Sequence, residues 1–154
     1  MNFWISLFVI LVWHFVVFIY ITRRGYKFFY RNNKIKDIKV FQKREKFYEN
    51  IFKIKFWKDK IPQYIGKNGF SKKNFKSFNF SYLKEFIAET YRGEIYHAEC
   101  CMIIPLLFFA SSLNIAICLS IFIIFINLPC IFIQRYNRAR LRKLLIKIEK
   151  NEFF

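Results

Sequence analysis

Two long stretches of the sequence contain no charged residue, and they constrain the fold more than any other feature. Residues 3–21 contain only two clearly polar side chains, Ser6 and His14. Residues 115–133 are nearly uniformly apolar. Each stretch matches the ~20 residues that an α-helix needs to cross a hydrocarbon core ~30 Å thick. The sequence therefore predicts an integral membrane protein.

A third apolar stretch, residues 95–110, is shorter and begins with polar side chains. At ~1.5 Å per residue it covers only ~24 Å without the turns before it. Residues 111–114 separate it from the long stretch, so the two are expected to form a tight helical hairpin. The predicted fold is an all-α membrane protein with three transmembrane helices.

The charged residues are segregated from these apolar stretches. The chain has 27 Lys and Arg against 10 Asp and Glu, a formal net charge of +17, although 55% of it is hydrophobic. The basic residues concentrate in residues 22–92 and 135–150, which the positive-inside rule places in the cytoplasm. The amino terminus and the hairpin turn are then outside. A chain anchored in this way is not expected to bind nucleic acid.

The segregation divides the sequence into four regions, which are expected to behave as separate structural parts. They are an N-terminal transmembrane helix (1–21), a basic, aromatic-rich interfacial region (22–81), a hairpin with two membrane spans (82–134) and a basic C-terminal cytoplasmic helix (135–154). Basic residues rather than a cleavage pattern follow the first helix, so we predict that it is retained in the membrane.

The interfacial region contains a candidate amphipathic helix, residues 40–57, whose apolar side chains recur at spacings of three and four. Such a helix can lie among lipid headgroups with its basic residues facing anionic phospholipid. A second interpretation is a small cytosolic helix packed on the hairpin. A turn region follows at Pro62, Gly66 and Gly69. The residues expected to contact lipid are Arg44, Lys53, Trp57 and Lys58.

One cluster of candidate functional residues precedes the second span. Glu89, Arg92, Glu94 and His97 share a broad arc of a helix, and two pairs among them are i,i+3 neighbours. Polar residues that enter a membrane span are costly unless they face a cavity or a partner, so they indicate a functional site. The alternative for Glu89 and Arg92 is that they only solvate a helix end.

A second cluster ends the third span. Asn127 can hydrogen-bond across helices, and Pro129 removes a backbone donor and favours a kink. The residues that follow are Gln134, Arg135, Asn137 and Arg138. They can bind substrate, or they can form a positive anchor at the membrane interface.

Antiparallel packing of the hairpin is expected to bring the two clusters together. A hairpin folded near Ser112 sets His97 opposite Asn127 and Glu89 opposite Arg135. Both clusters would then lie at the cytoplasmic side of one helix pair.

The same residues carry a family resemblance. The motifs are Glu89-Thr90-Tyr91-Arg92-Gly93-Glu94-Ile95-Tyr96-His97 and Gln134-Arg135-Tyr136-Asn137-Arg138. Together with residues 56–62 and the segment that begins at Asn127, they resemble the glycosyl-4,4'-diaponeurosporenoate acyltransferase family over residues 47–145. These are small membrane proteins named for a step of a bacterial carotenoid pathway.

The resemblance implies transfer of a fatty acyl group to a sugar hydroxyl of a membrane glycolipid. His97 would act as general base, with Glu94 or Glu99 fixing its tautomer. Arg92 or Arg135, together with Asn137, would stabilise the oxyanion of a tetrahedral intermediate. Glu89 is the remaining candidate catalytic residue. The residues expected to bind substrate are Asn127, Gln134, Arg135, Asn137 and Arg138.

The implied partners are an acyl donor, a glycolipid acceptor and an anionic phospholipid surface, and the sequence also allows a homo-oligomer. No cofactor and no metal are expected, because the adjacent Cys100 and Cys101 lack metal-ligand spacing and the chain has only two histidines. The rival interpretation is a non-catalytic membrane adaptor that binds anionic lipid and a partner membrane protein.

Overall fold

The computed structural model describes residues 1–29, 38–61 and 80–151 of the chain. Within those ranges the regular secondary structure is entirely helical, with no strand. Three helical stretches are long and apolar enough to cross a membrane, which confirms the predicted all-α membrane fold. The turn region predicted at Pro62, Gly66 and Gly69 lies outside the described residues.

Seven helices make up the described part of the chain. In order they are α1 (Phe3–Arg23), α2 (Tyr26–Phe29), α3 (Ile38–Phe52), α4 (Ile54–Trp57), α5 (Phe80–Cys101), α6 (Ile104–Ala110) and α7 (Leu113–Asn151).

Helix α1 begins at an asparagine cap and exposes an apolar face. The Asn2 side chain accepts a hydrogen bond from the backbone N–H of Ile5 at 3.0 Å, satisfying one of the free donors at the helix start. Its 21 residues reach ~31 Å, enough to span a hydrocarbon core. The opposite, buried face consists of Ser6, Ile10, Val17 and Ile21.

The second span is longer than predicted and is interrupted. It runs over Phe80–Ala110, of which residues 95–110 are only the last part. A break after Cys101 separates α5 from α6. Pro105 explains the break, because it has no N–H to donate to the carbonyl four residues earlier, that of Cys101.

Helix α7 is continuous where the sequence predicted a boundary at residue 134. It has 39 residues and contains Pro129 without ending there. Between Pro129 and Asn151 the helix contains neither glycine nor a second proline, and it is rich in the helix formers Arg, Leu and Lys. The third span and the basic C-terminal helix are therefore one element.

Packing divides the chain into two units. The membrane unit consists of Met1–Gly25 and Arg92–Ile131. The basic unit consists of Tyr26–Tyr91 and Phe132–Phe154. The core of the membrane unit is formed by Ile10, Ile103, Leu107, Ala116, Leu119 and Ile123.

In the basic unit, α3 and α4 pack against the C-terminal part of α7. The amphipathic segment predicted as one helix is divided at Lys53, whose φ of 48° lies in the left-handed region. Ile54, which begins α4, is fully buried beside Ile133 and Tyr136 of α7. This packing agrees with the interpretation of a helix held by protein contacts, although Phe56 remains 78% exposed.

Candidate functional site

A hydrogen bond between two spans of the membrane unit is the centre of the candidate site. His97 Nδ1 lies 2.9 Å from Asn127 Oδ1. Asn127 is only 3% exposed, so this contact is shielded from solvent. The pairing of these two residues, expected from the hairpin, is confirmed.

The hydrogen bonds of Asn127 fix the tautomer of His97. The Asn127 amide nitrogen donates to the carbonyl of Ile123 at 2.9 Å, so its Oδ1 is the acceptor. His97 Nδ1 must therefore carry the hydrogen that it donates. In the neutral imidazole the other nitrogen, Nε2, then has a free lone pair, which is what a general base requires.

The His97–Asn127 pair lies at one end of the apolar core of the membrane unit. Cys100 and Ile103, which follow His97 at helical spacing, are both buried. Ile123, one turn before Asn127, is fully buried in the same core. A polar pair beside a water-excluding core has stronger electrostatic interactions than it would have in water.

The carboxylates expected to orient His97 do not do so. Asn127 holds Nδ1, in place of Glu94 or Glu99. The side chain of Glu99 is exposed, and its backbone carbonyl accepts a 3.0 Å hydrogen bond from Trp13 Nε1 of α1. Glu89 and Glu94 are both partly buried. Sequence reasoning favoured a carboxylate because acids usually orient catalytic histidines, and it placed Asn127 among the substrate-binding residues.

Arg92 connects two helices of the membrane unit. Its Nη2 donates to the carbonyl of Thr22 at 3.0 Å, in the last turn of α1, where carbonyls lack helical partners. The contact gives Arg92 a structural role. A guanidinium has five N–H donors, so one residue can bond to several groups at once.

The cluster predicted after the third span belongs to the basic unit, where much of it is buried. Tyr136 is fully buried and donates from its hydroxyl to Glu49 Oε1 at 3.0 Å. Asn137 is 5% exposed. The Arg138 guanidinium lies 3.8 Å from the ring centroid of Tyr91, a cation–π contact.

The remaining residues of that cluster are more accessible. Gln134 is partly buried, and Arg135 is exposed. Within Gln134–Arg138, Arg135 is therefore the residue best placed to meet a ligand from solvent or lipid.

The residues expected to contact lipid divide into two kinds. Lys58 is only 11% exposed in its side chain and pairs with Asp59 at 2.6 Å. Trp57 donates from Nε1 to the carbonyl of Phe52 at 2.8 Å. Arg44 and Lys53 are exposed, which is the geometry that a lipid-facing cation needs.

One carboxylate of the basic unit is electrostatically distinct. The side-chain hydrogen bond from Lys55 lowers the pKa of Glu49, and the Tyr136 hydroxyl adds to this effect. The ion pair measures 2.8 Å from Lys55 Nζ to Glu49 Oε1. This carboxylate is therefore held ionised as a structural contact.

A metal centre is not formed by the part of the chain that the structure describes, since no group of three His, Cys, Asp or Glu side chains there could hold an ion. All four cysteines are free thiols.

The three apolar spans and the buried histidine–asparagine pair define a small multi-span membrane protein with a polar site inside its helices. The family model described as Glycosyl-4,4'-diaponeurosporenoate acyltransferase matches residues 26–147, and the chain belongs to that family. It is therefore a membrane-bound acyltransferase.

Similar proteins bear the same description. The Glycosyl-4,4'-diaponeurosporenoate acyltransferase of Staphylococcus aureus strain MRSA252 is 32% identical over 127 residues, covering 80% of this chain and 76% of the relative. The protein of strain bovine RF122 / ET3-1 gives the same values. That of strain N315 is 32% identical over 108 residues, 68% of this chain and 64% of the relative. No solved structure matches the chain.

Proposed function

We propose that this acyltransferase moves a fatty acyl group onto a sugar hydroxyl of a membrane glycolipid, such as a glycosylated carotenoid. The name of the similar proteins supports a glycosylated, isoprenoid-like acceptor. The observation that carries the proposal is the tautomer of His97: the buried Asn127 holds Nδ1–H, so Nε2 is the unprotonated nitrogen of the neutral ring. Membrane-spanning helices around that pair suit two substrates that both reside in lipid.

In the proposed reaction His97 is the general base. Its Nε2 takes the proton of the sugar hydroxyl as the oxygen attacks the carbonyl carbon of the acyl donor. The tetrahedral intermediate collapses, the bond from the acyl carbon to the leaving group breaks, and the leaving group receives the proton from His97. Asn127 Oδ1 stays hydrogen-bonded to Nδ1–H and stabilises the imidazolium between these steps.

Arg92, whose guanidinium lies on the same helix as His97, is proposed to stabilise the oxyanion. Glu94 is proposed to complete the polar environment of the site in the membrane unit, and Glu89 is proposed to act within the basic unit. Arg135, which is exposed, is proposed to bind the polar part of a substrate together with Gln134, Asn137 and Arg138.

We also propose that the amino terminus faces outward and that the basic unit is cytoplasmic. Of the 27 Lys and Arg residues, only Arg23, Arg24 and Arg92 belong to the membrane unit. Such a bias orients membrane helices with their basic flanks inside. Reporter fusions at the hairpin turn and at the carboxyl terminus test this, and an inactive periplasmic reporter at the turn would contradict it.

The reaction is tested in a bacterial host that makes a glycosylated carotenoid but lacks its acyltransferase. Wild type, His97→Ala and an empty vector are compared by mass spectrometry of lipid extracts. We expect a new species, heavier by one fatty acyl group, only with wild type. The matched control is His97→Gln, which fills a similar volume but cannot accept and return a proton, and it should be inactive although it inserts normally.

The adaptor interpretation predicts a different result. No acylated lipid would form with wild type, and deletion in the native cell would leave the lipid profile unchanged. Acylated product that persists in His97→Ala would contradict the role proposed for His97 without contradicting the reaction.

A further inference from the structure

His14, the other histidine of the chain, lies on the first span, inside the membrane unit. We propose that His14 is part of the acyl-transfer site and that its Nε2 accepts a hydrogen bond from a hydroxyl of the sugar acceptor. The proposal rests on the proposed function and adds to it the residue that recognises the acceptor.

The position of His14 in α1 points its side chain toward protein. It follows Ile10 by four residues and precedes Val17 by three, and these two neighbours are 4% and 6% exposed. Residues at these spacings share one face of a helix. The opposite face is exposed, with Val12 at 44% and Val16 at 52%. His14 is itself partly buried and lies at the edge of the buried face, beside the exposed Leu11.

Two contacts on either side of His14 fix its level relative to α5. Trp13 Nε1 donates to the carbonyl of Glu99 at 3.0 Å. Phe18 packs edge-to-face on Tyr96, with ring centroids 6.2 Å apart. The segment of α1 that carries His14 thus runs beside the turn of α5 that carries His97.

The hydrogen bond of His14 defines its free atom. Nδ1 lies 2.9 Å from the carbonyl oxygen of Ile10, and a carbonyl can only accept, so Nδ1 carries the hydrogen. In the neutral ring Nε2 is then an acceptor. That atom is buried and has no hydrogen-bond partner among the residues that the structure describes.

A buried acceptor without a donor costs about 1–3 kcal/mol, so a donor is expected to occupy this position. The donor must be an O–H or N–H group that reaches the interior of the spans beside His97. A sugar hydroxyl of the acceptor meets this requirement, because the reaction brings one to His97 Nε2 and its neighbours on the sugar ring lie within a few ångströms. His14 would then orient the sugar while His97 removes the proton.

The test uses three variants of the full-length protein, assayed in membranes against varied concentrations of acceptor and of acyl donor. His14→Phe keeps the ring volume and removes the acceptor atom. His14→Gln keeps an acceptor oxygen near the position of Nε2. The matched control is Ser6→Ala, which removes a buried hydroxyl from the same face of the same helix, where it pairs with Ser111 Oγ at 2.9 Å.

We expect His14→Phe to lower kcat/KM for the acceptor by about tenfold or more, the equivalent of one hydrogen bond. The KM for the acyl donor should stay within about twofold of wild type in the same variant. His14→Gln should recover most of the loss, and Ser6→Ala should behave as wild type. If His14 were purely structural, His14→Phe would lower kcat/KM for both substrates alike, and His14→Gln would not recover the loss.

The outcomes separate the two proposals. An active wild type in which His14→Phe matches Ser6→Ala overturns the role of His14 alone. Equal losses for both substrates, unrecovered in His14→Gln, also overturn it. A wild type that forms no acylated lipid overturns the proposed function, and the acceptor role of His14 with it.

Discussion

The two units of the molecule use polar residues in opposite ways. In the membrane unit the side-chain pairs His97–Asn127 and Ser6–Ser111, which join different helices or their ends, are neutral. In the basic unit a contact between α3 and α7 joins ions, Glu45 with Arg140 and Lys143.

This difference follows from the surroundings of each unit. An ion surrounded by lipid and apolar side chains loses several kcal/mol of hydration, whereas a neutral hydrogen-bonded pair loses much less. In the basic unit, where Lys and Arg are concentrated, Glu45 contacts two cations. Nearly all of the Lys and Arg residues that give the chain its net charge of +17 belong to the basic unit. The pair proposed to perform the chemistry belongs to the membrane unit.

The largest expected effect among these variants comes from replacing the polar partner of His97 in the membrane unit with an apolar side chain. Asn127→Leu removes the acceptor that holds the His97 tautomer and leaves a buried donor without a partner. We expect acyl transfer to fall by roughly ten- to hundredfold, because a buried hydrogen bond is worth ~1–3 kcal/mol. Product formation per amount of membrane-inserted protein measures this.

Two further variants sharpen the result. Asn127→Asp keeps an oxygen that accepts from His97 Nδ1 and should retain more activity than Asn127→Leu. Asn114→Leu changes an exposed asparagine of the same helix and should leave activity unchanged. Equal activity in Asn127→Leu and wild type would show that the neutral pair is only structural.

The basic unit should respond to mutation mainly in stability. Ile54→Ala opens a cavity beside Ile133 and Tyr136, and we expect a loss of about 2–4 kcal/mol in the free energy that holds α3 and α4 in place. Limited proteolysis at the exposed Lys53 and Lys55 in detergent measures it. Phe56→Ala, at a 78% exposed position in the same short helix, is the control and should resist protease like wild type.

Removing an ion pair should have a smaller effect. Glu45→Gln loses the contacts with Arg140 and Lys143, and we expect destabilisation of about 0.5–1 kcal/mol, since Arg140 is 53% exposed. Thermal unfolding in detergent should show this difference at low salt and a smaller one at about 1 M salt, where the screening length is roughly 3 Å. A difference independent of salt would mean that packing, and not charge, unites this unit.

The smallest effect concerns pH. The hydrogen bond from Lys55 lowers the pKa of Glu49 in the folded state. The contribution of Glu49 to the free energy of unfolding is therefore complete above the ordinary glutamate pKa, and it is lost as the pH falls through the lowered pKa. The melting temperature of wild type should therefore exceed that of Glu49→Gln near neutral pH. The two should converge in acid, and a constant difference would contradict the assignment.

Much of the fold could be predicted from local sequence. The apolar run at residues 3–21 matches α1, and the short link at Ser111 and Ser112 predicts the hairpin. The hairpin alone was enough to place His97 opposite Asn127, because antiparallel helices fix such a register to within about a turn. Pro105 could have signalled the break after Cys101, since a proline four residues after a carbonyl removes its partner.

The sequence by itself determined the number of spans, because membrane insertion depends on the length and apolarity of each segment. Only the tertiary structure decided which polar groups meet. Nothing local indicates that Asn127, and not a glutamate, would hold Nδ1 of His97, or that Glu45 would lie beside Lys143. From the sequence alone, His14 is one polar residue in an apolar helix. Its Nε2 is buried in the folded protein, and burial depends on neighbours that are far away in the chain.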